Sequence, residues 1–215
     1  LTLGVKQIVT QFEEEKNTFS ALAKLSNLPL NRAIQEYSIK DNPKLVASEL
    51  RKIIYPGKQK NSKVFLVKFI EYLAHYNITV FEFIETHNKR EKANINGFFL
   101  APNIIVLKRI QKSIKLEIFT LAHELGHYLL NIEEIDDISE DYIQQASLSK
   151  IEKWCNDFAW YFLAGDYANI IENLEIADLG TYESSNYSIS IKVPKLIDKL
   201  FAFIKGHCTI EIILP

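Results

Sequence analysis

The chain has 215 residues, of which 47% are hydrophobic and 24% charged, and a net charge of -2. That length supports a real core in one domain, with or without a small appendage, and the composition is ordinary for a soluble globular protein. The near-neutral charge gives no global case for binding nucleic acid, no apolar run of about 18 residues is present to span a membrane, and the two cysteines, Cys155 and Cys208, are too few for a disulfide framework.

That cysteine usage fits a reduced, cytoplasmic setting. The N-terminal stretch LTLGVKQIVTQFEEEK lacks a basic region followed by a long apolar run, so it does not read as a signal peptide. The chain contains no methionine and opens on Leu1, as a fragment of a longer product would.

Val5–Leu28 reads as a helix, with Ile8, Phe12, Phe19, Leu22 and Leu25 apolar, and Leu28-Pro29 breaks it. Arg32–Tyr37 reads as a short helix. Asp41-Asn42-Pro43 is a helix-start signal, so Lys44–Ile54 follows as an amphipathic helix that Pro56-Gly57 ends. The lysines and arginines between residues 40 and 68 read as a solvated face and loop. Val64–Tyr76 is a further helix. The period then changes to that of strands at Ile78–Ile84, Gly97–Leu100 and Ile104–Leu107, the last two joined by a turn at Ala101-Pro102-Asn103. A small antiparallel sheet is expected, beside helices, which makes the fold class α+β. An edge strand of such a sheet can pair with an extended substrate backbone.

Ile114–Leu130 reads as one largely apolar helix, with Ile118, Leu121, Ala122, Leu125 and Leu129 forming a buried stripe. Inside it lies His123-Glu124-Leu125-Gly126-His127, an instance of the HExxH zinc-peptidase signature. Positions four apart share a helix face, so His123 and His127 can offer ring nitrogens to one metal. Glu124 is rotated by roughly 100° from His123, beside the metal instead of on it. Zinc lowers the pKa of a bound water to about 7, and a carboxylate alongside can take the proton. Polar, titratable residues in a buried helix are costly unless satisfied, and a metal satisfies them.

Catalytic zinc takes three protein ligands. Glu133 has the spacing of metzincin sites, but those need Gly where this chain has Leu130. Glu152 is favoured. It falls in KIEKWCNDFAWYFL, on a helix expected over about Gln144–Leu163 and ending near Gly165. Ile151, Trp154, Cys155, Phe158 and Phe162 would pack that helix on the first, and Gly126 would permit close approach. Asn156, one turn on, is placed to hold the carboxylate or the zinc water. His207, Cys208 and His75 are weaker alternatives. Tyr128, Tyr161 and His207 are candidates for stabilising an oxyanion. Asn131–Tyr142 is a strongly acidic connector. Beyond Asp166, Tyr187–Val193 and Thr209–Leu214 read as strands and Pro194–Ile204 as a helix.

Taken together, FTLAHELGHYLL and IEKWCNDFAWYFL resemble the ImmA/IrrE family of metallo-endopeptidases over about residues 43–165. Phe119-Thr120-Leu121-Ala122 leads into the motif as in the family, and Glu152, Asn156, Phe158 and Ala159 match its second pattern. The resemblance implies one zinc per chain, held by His123, His127 and Glu152, with Glu124 as base. It further implies a protein substrate, a DNA-binding repressor with a helix-turn-helix domain, whose cleavage relieves repression of mobile-element or stress genes. The expected organisation is an N-terminal helical region over 1–42, the peptidase domain over 43–165 and an α/β extension over 166–215. The alternative is a non-catalytic zinc-containing module that acts by binding a repressor or toxin partner. A three-ligand site argues against it, because structural zinc is usually closed by four.

Overall fold

The computed structural model describes residues 3–28, 30–84, 95–135 and 149–172, with two short strand pieces further on. Three helices come first: α1 (Leu3–Leu25), α2 (Pro43–Arg51) and α3 (Ser62–His75). Three strands follow, β1 (Thr79–Phe83), β2 (Gly97–Leu100) and β3 (Ile104–Lys108), then α4 (Ile114–Leu130), α5 (Lys150–Ala164) and α6 (Asp166–Glu172). The pieces β4 (Ser184–Ser185) and β5 (Ser188–Ile189) pair antiparallel. The α+β class expected from the pattern is what the chain adopts. The helix expected over Pro194–Ile204, the strand expected over Thr209–Leu214, and His207 and Cys208 lie outside the described residues, as does most of Tyr187–Val193.

Side-chain caps fix where the helices begin. Asn42 accepts the N–H groups of Lys44 and Leu45 ahead of α2, and Pro43 at the first helical position has no N–H to lose. Asn61 accepts from Val64 N at 3.0 Å to start α3. Ser113 accepts from Leu116 N at 3.2 Å to start α4. Asn131 ends α4 in the left-handed conformation, φ 53° and ψ 42°, which Asn tolerates better than most residues.

Arg32–Tyr37, read from sequence as a helix, is irregular. Its polar groups are spent on α4: Tyr37 N donates to Leu129 O at 2.9 Å, and Arg32 Nη2 donates to Tyr128 O at 2.6 Å. The segment caps the carbonyl end of another helix, which leaves no reason to close turns of its own.

The sheet runs β1-β3-β2. The β2–β3 pair is the expected antiparallel hairpin. The expectation of an antiparallel sheet fails at β1, which lies parallel to β3, Thr79 opposite Ile104 and Phe83 opposite Lys108. The central β3 is buried from Ile104 through Leu107, the continuous apolar run of a strand covered on both faces. The short turn assigns β2 to one edge of it. The other edge is left for β1, whose start is fixed by Thr79 N donating to Asn103 O.

Alternation along the strands builds two cores. Phe99, Ile105 and Leu107 face α4 and join the main core with Phe65, Phe69, Phe158 and Phe162. Phe98, Leu100, Ile104 and Val106 face the other way, onto Val5 and Phe12 of α1. Phe12 meets Phe81, Phe83 and Phe98 at ring separations of 5.7–6.1 Å. Burying a side chain of this size contributes about 3 kcal/mol. On the main side α5 packs against α4 and α2. Arg51 of α2 donates to Phe162 O and Leu163 O, closing the carbonyl end of α5.

Candidate metal centre

The buried stripe of α4 is as the pattern requires: Ile118, Leu121, Ala122, Leu125 and Leu129 are all fully buried. His123 and His127 lie one turn apart, with Nε2 atoms 3.2 Å from each other. Glu152 enters from the first turn of α5. Its Oε2 is 3.2 Å from His123 Nε2 and its Oε1 is 3.0 Å from His127 Nε2. Among the described residues this is the one grouping of three such side chains that could share an ion, their ligand atoms all within 4.8 Å.

Two contacts set the outward nitrogens of the rings. His127 Nδ1 faces Ile132 O at 3.2 Å. A carbonyl only accepts, so Nδ1 carries the hydrogen and a neutral ring presents its Nε2 lone pair inward. His123 Nδ1 faces Asn156 Oδ1 at 3.0 Å, with the same result. Two lone pairs and a carboxylate therefore converge on one point, which a positive charge must occupy. Zinc–nitrogen bonds of about 2.0 Å in tetrahedral geometry place neighbouring ligand atoms about 3.3 Å apart. The observed 3.0–3.2 Å spacings fit that ion. Burial alone would push the Glu152 carboxyl up; hydrogen bonds and charge from His123 and His127 in their protonated form outweigh it and bring its pKa down to about 2, a part that a bound cation would take when the rings are neutral.

Local structure explains how Glu152 gets there. Ser149 is the N-cap of α5, and its Oγ accepts Glu152 N at 3.1 Å and donates to Glu134 Oε2 at 3.3 Å. Ser149-x-x-Glu152 is a capping-box pattern, in which the glutamate ordinarily turns back to the cap. Here its oxygens are on the histidines, and the positive end of the α5 dipole favours its charge.

Glycines govern the approach of the neighbouring elements. A Cβ on Gly126 would lie 3.1 Å from Cα, Cβ and Sγ of Cys155, so α5 closes on α4 at the motif's own glycine. A Cβ on Gly97 would meet Thr120 Cγ2 at 2.8 Å and Glu124 Cγ at 3.2 Å. The start of β2 thus rests directly on the Glu124 face of α4. Glu124 is buried, one residue round the helix from His123. Burial and the charges of Glu152 and Glu124 push the Cys155 thiol well up, so it packs as an inert side chain.

Other sequence candidates go elsewhere. Glu133 is not in the cluster; its Oε1 accepts Ala101 N at 2.6 Å. His75 is exposed at the end of α3, its Nδ1 2.7 Å from Glu71 O. Tyr128 is fully buried, edge-on to Phe99 and beneath the Arg32 guanidinium. Tyr161 lies under the Lys44 ammonium. Neither tyrosine is among the groups that meet at the cluster, and His207 lies outside the described residues. Sequence reasoning did not reach Ser149, Gly97 or the Ile132 carbonyl. The Ser-x-x-Glu pattern before an apolar run was the available signal for the first; nothing local marks the other two.

Two histidines one helical turn apart and a glutamate from a facing helix define a metallopeptidase type of site. Residues 73–164 match the family model Peptidase_M78, the IrrE N-terminal-like domain, so that stretch is similar to a peptidase domain of the ImmA/IrrE kind. The match runs from the end of α3 through α5 and contains the whole cluster, while α1 and α2 lie outside it. No curated protein and no solved structure matches the chain. No described helix is long and apolar enough to cross a membrane.

Proposed function

We propose that the protein is a zinc-dependent endopeptidase that acts in the cytoplasm on a protein substrate, a helix-turn-helix transcriptional repressor. The observation that carries the zinc reading is the convergence of His123 Nε2, His127 Nε2 and Glu152 within 3.2 Å, with both rings oriented from behind. These three side chains would hold one zinc ion. When bound, the ion supplies Lewis acidity toward a carbonyl and makes water acidic near neutral pH. Glu124 is the general base. It takes a proton from the attacking water as the carbon–oxygen bond forms, and returns it to the leaving nitrogen as the carbon–nitrogen bond breaks. Asn156 and the Ile132 carbonyl keep both imidazoles in the tautomer that binds metal. Substrate backbone is expected along β2, the sheet edge that rests at Gly97 on Glu124. The repressor as substrate rests on the likeness of FTLAHELGHYLL and IEKWCNDFAWYFL to the family.

Co-expression with a helix-turn-helix repressor encoded beside the gene tests this. The expected result is a truncated repressor with the wild type and an intact one with Glu124→Gln, both proteins holding about one zinc per chain. Intact repressor co-purifying with both would replace the protease with a zinc-containing binding module.

A further inference from the structure

Glu133 stands ten residues after His123, yet it ligates nothing; its carboxylate is fixed to the Ala101 amide at 2.6 Å, with Lys16 Nζ 4.0 Å from the same oxygen. The residue before it is Ile132, whose carbonyl holds His127 Nδ1. That carbonyl lies beyond the C-cap of α4, so no helical hydrogen bond orients it. Its direction is set by the peptide plane between Ile132 and Glu133. The residue on the other side, Asn131, is pinned already: its Nδ2 donates to Glu36 Oε1 at 2.8 Å, and its left-handed backbone is closed onto Tyr128 O. Glu133 supplies the second pin by tying its end of that plane to the β2–β3 turn.

We propose that Glu133 is a positioning residue of the metal centre: through its bond to Ala101 N it fixes the Ile132 carbonyl that orients His127. This rests on the reading of His127 as a zinc ligand. A ring N–H held by a fixed acceptor aims the opposite nitrogen and raises its basicity, and loss of such a partner typically weakens metal binding about 10–100-fold. The Glu133 side chain is 42% exposed, so its removal is expected to act on geometry more than on folding.

The test uses the full chain as wild type, Glu133→Ala, Glu133→Gln, Glu133→Asp and His127→Ala. Zinc affinity is read by chelator competition, ligand geometry by the visible spectrum of the Co²⁺-loaded protein, and folding by melting of the zinc-free form. Glu133→Ala is expected to bind zinc about ten-fold more weakly and to shift the Co²⁺ bands, while melting with the wild type. Glu133→Gln keeps an oxygen for Ala101 N and should match the wild type. Glu133→Asp keeps the charge but is one carbon too short, and should resemble Ala; it also serves if the alanine variant does not fold. Wild-type affinity and spectrum in Glu133→Ala or Glu133→Asp, or a Gln variant as weak as Ala, would overturn the inference. If the wild type takes no zinc, or His127→Ala takes it equally well, the metal reading itself has failed and this inference falls with it.

Discussion

The two faces of the three-stranded sheet are covered by different means. On the α4 face the approach is close at glycines: a Cβ on Gly97 would press on the Thr120 and Glu124 side chains and the Val106 carbonyl, and behind the sheet a Cβ on Gly126 of α4 would press on Cys155 of α5. On the α1 face, contact is made by side chains, Phe12 among Phe81, Phe83 and Phe98, and Phe19 edge-on to Phe81. Aromatic side chains tolerate small shifts of the helix that carries them, whereas elements that close directly on a glycine leave little freedom. The polar cluster belongs to the first face, where ligand atoms must be placed to a fraction of an ångström. The second face contributes apolar burial and no described polar group of the site.

Four variants can break or sharpen this contrast. Glu124→Gln should give the largest change, a loss of about 10²–10⁴-fold in peptide hydrolysis with zinc content unaltered, measured by cleavage kinetics beside elemental analysis. Next is Phe12→Ala, expected to cost about 3–5 kcal/mol in denaturant unfolding while zinc affinity stays at the wild-type value. A large fall in zinc affinity there would show that the α1 face reaches the site after all. Gly126→Ala should cost about 1–3 kcal/mol, because the new methyl meets the Cys155 backbone as well as its side chain. Unlike Phe12→Ala, it should also weaken zinc binding by separating Glu152 from the histidines. The smallest change is expected from Asn156→Ala, about ten-fold weaker zinc binding by chelator competition, with little loss of stability.

Much of the site could be read from local pattern. The bounds of α4 and β2 and the burial stripe of α4 follow from periodicity, and Glu152, favoured over Glu133 because Leu130 stands where a sharp turn would need Gly, is the glutamate that lies beside His123 and His127. Gly126 as the point of close approach was legible for the same reason, since a glycine facing a second apolar stripe has few other uses. The direction of β1 was not, because strand alternation is the same whichever way a neighbour runs. Arg32–Tyr37 misled because its composition suits a short helix, while its backbone is committed to the end of α4, a contact across nearly a hundred residues. The Ile132 carbonyl was invisible in principle: every residue has a carbonyl, and only the fold decides which one meets an imidazole.

The hydrogen bond between Glu134 and Ser149 has a consequence for how such chains can vary. It brings together the two ends of the acidic stretch that separates the ligand-bearing helices. Closing a chain segment costs entropy that grows with the logarithm of its length, about 0.6 kcal/mol for each doubling. The two helix ends are therefore held by this bond and by the packing of α5 on α4, and not by the count of residues between them. The number of residues from His127 to Glu152 is then a weak signature of this centre, and the pairing of a motif glycine with a capped second helix is the stronger one.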